Sequence, residues 1–198
     1  MNQINQINKT NQIDEIDQID QMNQTDASRT SVADWQRRLM MKASFKSGLS
    51  FGLTSGVITT LGLMVGLHSG THSRTVVIGG IVTIAVADAM SDALGMHIAE
   101  ESKNNGAVSE IWESTIATFV AKFLIALTFI VPVLLLPLED AMTVSVGWGL
   151  MLLAVLSYLL ARAQQIPAWK VIAEHVVIGV SVIAITHYVG DWIHATLG

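Results

Sequence analysis

Asp88 and Asp92 stand four residues apart in ADAMSDALGMHIAEES, residues 87–102, a stretch that otherwise suits the interior of a bilayer. A carboxylate at the centre of a membrane helix costs roughly 2.5–3.5 kcal/mol on insertion scales, so such a residue marks a functional site by default. On a helix the two carboxylates lie one turn apart on one face, and Met96 continues the stripe. Paired carboxylates suit a hard or borderline divalent cation, or a proton carried across the membrane. The competing reading is structural. Lys122, about seven residues into the third apolar block, falls level with Asp92, and the two would form a buried ion pair that fixes helix packing. Asp88 has no cationic partner at its own depth.

The histidines add a second kind of ligand. All six fall near the ends of apolar blocks. His68 and His72 close the first block, while His187, Asp191 and His194 share one helical face at the end of the fifth. His97 and His175 lie on the opposite side, near Glu100, Glu101, Glu110, Glu113 and Glu174. Imidazole with carboxylate suits Fe, Mn, Zn or Co. The chain has no cysteine, which excludes thiolate sites and disulfides. Singly, each histidine fits a hydrated interfacial side chain. Together these groups outline a route: Glu and His on one side, Asp at the midplane, His and Asp on the other.

The elements that must hold these residues are membrane spans. Half of the residues are hydrophobic and only 14% are charged, and the apolar ones are concentrated after residue 45. They form blocks near the length of about 20 residues that a bilayer crossing needs. The fold class expected is all-α, a polytopic membrane protein of five transmembrane helices at 47–67, 76–99, 115–137, 141–161 and 169–190. Residues 1–27, built on the triplets NQI, DEI and DQI, read as a disordered low-complexity tail. Residues 28–46 are basic, with Trp35, Leu39 and Met40 interleaved, and read as an interfacial segment; residues 47–198 form the membrane domain. The first thirty residues lack the apolar core of a signal peptide.

Lysine and arginine are concentrated in the N-terminal segment and in the 100–114 and 162–170 loops, whereas the opposite loops contribute only Arg74. The N-terminus is therefore expected in the cytoplasm and the C-terminus on the far side. In the first span Gly48, Gly52 and Gly56 recur every four residues, followed by Gly62 and Gly66. Such a stripe lets backbones approach closely, either between subunits or between helices of one chain; a subunit contact is the expectation adopted.

The segment KSGLSFGLTSGVITTLGLMVGLHSGTHSRTVVIGG, followed by IAVADAMSDALGMHIAEES, resembles the vacuolar iron transporter family. The resemblance covers residues 46–102 and implies a homodimer with its translocation path between the two first spans. It also implies transport of Fe²⁺ or Mn²⁺ out of the cytosol in exchange for protons, the metal being substrate rather than cofactor. Two departures are visible. The family's acidic residue before a glycine in the first span is replaced here by Ser55 of Thr54-Ser55-Gly56, and the methionine after a serine in the second span by Asp92 after Ser91. The resemblance then implies that the carboxylate has moved from span one to span two. Many members also carry a Glu-rich domain between spans two and three; here only Ser102 to Ser114 connect them, and Glu100, Glu101, Glu110 and Glu113 read either as a reduced version or as part of a solvated turn.

The expected function is thus a secondary transporter with a divalent metal and protons as ligands, a second copy and the lipid bilayer as partners, and no nucleic acid. The expected metal-site residues are Asp88, Asp92, Met96, Glu100, Glu101, Glu110, Glu113, His187, Asp191 and His194. The location expected is the plasma membrane of a prokaryote. No protease signature and no nucleotide-binding glycine loop is present, so no enzyme is expected and transport would be gradient-driven. The alternative is a dimeric membrane scaffold or regulatory subunit that keeps the fold without transporting.

Overall fold

The computed structural model describes residues 43–103 and 108–197. The tail 1–27 and most of the basic segment 28–46 lie outside the described residues. The helices are α1 (Ala43–Thr71), α2 (Arg74–Glu101), α3 (Val108–Thr128), α4 (Ile130–Leu135), α5 (Leu138–Gln164) and α6 (Ala168–Leu197). No strand occurs among the described residues. Taking α3 and α4 as one span, five apolar helices of 27 to 30 residues follow each other. At 1.5 Å per residue each is about 42 Å long, enough to cross a hydrocarbon core of about 30 Å and its interfaces. The chain is an all-α polytopic membrane protein.

Each helix overruns its apolar window, because polar residues remain helical in the interfacial layer. The overrun matters most at α3, which begins at Val108 rather than near residue 115. Glu110 stands in its first turn, where a negative charge favours the helix dipole, and nothing up to Ser114 breaks the helix. The connection from α2 is correspondingly short. The α3–α4 break at Phe129 has a local cause: Pro132 has no N–H for the Thr128 carbonyl and its ring crowds that oxygen. The α5 helix ends on Gln165 in the left-handed region, φ 55°, and Pro167 follows.

α1 is the most enclosed of the five spans and organises the bundle. Its Val57, Leu61, Met64 and Val65 form the core with Val77 and Ile81 of α2, Phe129, Val133 of α4, and Ala141, Met142 and Leu153 of α5. The glycine stripe packs within the chain. A Cβ on Gly52 would lie 2.6 Å from the Thr118 carbonyl oxygen, and those on Gly48 and Gly56 would strike Ser114 and Ile125, all on α3. Further along, Gly62, Gly66 and Gly70 face Val182, Thr186 and Gly190 of α6. The stripe expected at a subunit contact is therefore spent on α3 and α6, where small residues admit two neighbours at backbone distance. α6 buries only Gly179 and Gly190, and leaves Val177, Ile185, Trp192 and Leu197 exposed, as a lipid-facing helix does.

Candidate functional site

The close approach of α1 and α3 brings three helix midpoints together. Asp88 lies at the middle of α2, Lys122 at the middle of the α3–α4 span and Ser55 near the middle of α1. The Lys122 Nζ ion-pairs with Asp92 Oδ2 and lies 2.5 Å from Asp88 Oδ2. It also donates to Ser55 Oγ at 3.1 Å, and Ser55 Oγ donates in turn to Asp92 Oδ2 at 2.7 Å. The Asp88 oxygen is buried, and the Lys122 ammonium is the partner that offsets its charge. Fully ionised, the cluster keeps one net negative charge.

One sequence expectation is corrected here. Asp88 does have a cationic partner at its depth, and it is the same lysine that meets Asp92. The error came from the start of the third span: with α3 beginning at Val108, Lys122 moves from seven residues deep to the span's centre. Its access is asymmetric. The Lys122 side chain is 2% exposed, against 29% for Asp88 and 22% for Asp92. The carboxylates thus present an outer side that the lysine does not cover. Met96, half-buried, follows one turn later on α2.

At the end of the bundle where α1 begins, the expected ligands do not converge. Glu100 is buried and pairs with Lys103 at 2.7 Å, while Glu101 is exposed. Glu110 Oε1 and Glu113 Oε2 are each buried without a hydrogen-bond partner. His97 is held by the Thr115 hydroxyl at 3.1 Å and by the edge of Trp112. His175 meets Ser157 Oγ at 2.8 Å. Both imidazoles are tied to neighbouring helices by hydrogen bonds that fix packing.

At the opposite end the histidines gather around the end of α1. His68 Nε2 lies 3.3 Å from Glu139 Oε2, and its ring is 5.4 Å from that of His72, which adopts φ 48°. His72 packs in turn against His194 at 5.2 Å. His187 contacts Ser69 Oγ through Nδ1 and stands 3.5 Å from Asp191. So His187 and Asp191 pair as their spacing expects, while His194 turns to α1 instead.

The route drawn through these groups is interrupted. Thirteen residues of α1, about 20 Å, separate Ser55 from His68. The apolar core of Val57, Leu61, Met64 and their neighbours fills that interval. No group of three or more His, Asp or Glu poised to hold a metal ion occurs among the described residues. The central cluster is instead built from two carboxylates, a hydroxyl and a protein ammonium. Compared with models of known protein families, with curated proteins and with solved structures, the chain matches none.

Proposed function

We propose that this chain is a secondary transporter of a divalent transition metal, Fe²⁺ or Mn²⁺, exchanged for protons and related to the vacuolar iron transporters. The observation that supports this reading most is the 2.7 Å contact between Ser55 and Asp92. These are the two positions at which the chain departs from the family pattern. Because they touch, moving the carboxylate from α1 to α2 leaves the negative charge in the same place. An uncompensated negative charge at mid-membrane, partly open on one side, suits a cation carrier better than a packing device. The apolar layer between Ser55 and His68 then acts as the barrier that alternating access must open.

In this proposal the N-terminal end faces the cytoplasm, since Lys46, Lys103, Arg162 and Lys170 lie at that end and Arg74 at the other. The protein works as a homodimer in a prokaryotic plasma membrane. With the glycine stripe engaged inside the chain, the dimer uses the outer side of α1 around Phe45 and Phe51. A second reading, a non-transporting scaffold, draws on Lys122: a buried lysine shared by two aspartates also locks three helices. Mn²⁺ uptake by proteoliposomes, with and without an imposed pH gradient, separates the two. Gradient-stimulated uptake above that of protein-free vesicles supports transport, and its absence leaves the scaffold.

A further inference from the structure

We propose that Lys122 is a tethered occupant of the cation site: its ammonium sits where cargo binds, and a divalent ion must displace it to enter. This rests on the transport reading above and adds how its site is regulated and what it selects. The Lys122 Nζ is surrounded as a bound cation would be, by Asp88 Oδ2 at 2.5 Å, Asp92 Oδ2, and Ser55 Oγ at 3.1 Å. The oxygens come from α1 and α2, and the ammonium is delivered from α3. Among the described residues, Lys122 is the cation paired with the Asp88 oxygen.

The arrangement has a reason and a consequence. Two ionised carboxylates alone in a membrane are each costly, so an acidic site that releases its cargo needs a substitute cation. Lys122 supplies one that cannot diffuse away. A monovalent ion offers the carboxylates no more charge than the ammonium already does. A divalent ion neutralises both, and that larger gain offsets the cost of moving the ammonium off its carboxylates. The path in is the uncovered outer side of Asp88 and Asp92, and the lysine retracts along α3. Gly56 lets the lysine stem lie close against α1: a Cβ there would strike Ile125 and stand 3.2 Å from Lys122 Cγ and 3.3 Å from its Cα.

The test uses the full chain in detergent with Mn²⁺ as the probe, read by thermal unfolding and by Mn²⁺ electron paramagnetic resonance. Lys122→Met, close in length and uncharged, should melt below wild type without metal and recover with Mn²⁺ but not with Na⁺. Its Mn²⁺ affinity should exceed that of wild type by on the order of tenfold, a usual size for coupling between two bound groups. The triple variant Asp88→Asn/Asp92→Asn/Lys122→Met should lose the Mn²⁺ response. Equal Mn²⁺ affinity in Lys122→Met and wild type overturns the proposal, as does equal rescue by Na⁺ or a response retained in the triple variant. If Lys122→Met does not fold, Lys122→Gln, which keeps both carboxylates and a neutral donor, must bind Mn²⁺ more tightly than wild type; failure there also overturns it. Wild-type vesicles that take up no Mn²⁺ refute transport but leave this binding result standing. Transport by wild type without tighter binding in the lysine variants refutes the tethered occupant alone.

Discussion

Gly52→Leu tests the joint that assembles the site. A Cβ at position 52 would lie 2.6 Å from the Thr118 carbonyl oxygen, 3.0 Å from Ala121 Cβ and 3.1 Å from Thr118 Cα. Two of these atoms are backbone, so no rotamer change relieves the contact. Carbon atoms rest at about 3.5–4.0 Å, so α1 and α3 must separate, and the rest of a leucine widens the gap further. The separation also breaks the Thr118 hydroxyl's bond to the Gly48 carbonyl and the 3.1 Å bond from Lys122 to Ser55. Overpacking of this kind costs about 1–3 kcal/mol, and loosening a buried charge cluster adds to it, giving about 3–5 kcal/mol. For a chain of this size that is a fall in melting temperature on the order of 10 °C. Gly52→Ala, which adds only the methyl, should give a smaller fall in the same direction. The assay is thermal unfolding followed by size-exclusion chromatography in detergent. If Gly52→Leu melts like wild type and merely shifts from dimer to monomer, the stripe is a subunit contact and the α1–α3 packing described above is wrong.

The shared lysine changes what the aspartate variants should do. Asp88→Asn and Asp92→Asn each leave Lys122 one carboxylate, so both should fold. The double variant strands a buried ammonium and should lose about 3–5 kcal/mol; a double variant that melts like either single one refutes the shared pairing. Deleting residues 2–25 should leave expression and Mn²⁺ uptake nearly unchanged, since that polar repeat offers too little apolar surface for a core. A large loss of uptake on deletion would assign the tail a partner or a gating role.

The membrane spans were legible because apolar blocks and scarce charge report burial in lipid directly. Asp88 and Asp92 were legible for the same reason, as charges placed where they are costly. The height of Lys122 was not. Hydropathy marks where a helix is apolar, and α3 continues through Glu110 and Glu113 into a polar first turn that the apolar window omits. The glycine stripe announced a close approach without saying to what, because small residues specify backbone distance and not the identity of the partner. The chain spends one half of the stripe on α3 and the other on α6. Ser55 was missed as a site residue because a serine on a glycine-rich apolar helix carries no charge to mark it. Its hydroxyl bridges Lys122 and Asp92. The histidines grouped by helical face only in part, because His72 and His194 meet across helix ends that one-helix geometry does not relate.

The proposed role of the charge cluster at the middle of α1, of α2 and of the α3–α4 span is to carry a divalent cation. Mn²⁺ uptake into acid-loaded proteoliposomes by Asp88→Asn, beside wild type, tests it most directly. Asparagine keeps the shape, removes one charge and one anionic oxygen, and leaves Asp92 to hold Lys122. Wild type should show gradient-driven uptake and Asp88→Asn uptake at the level of protein-free vesicles, with both proteins eluting and melting alike. Uptake by Asp88→Asn at the wild-type rate would contradict that role.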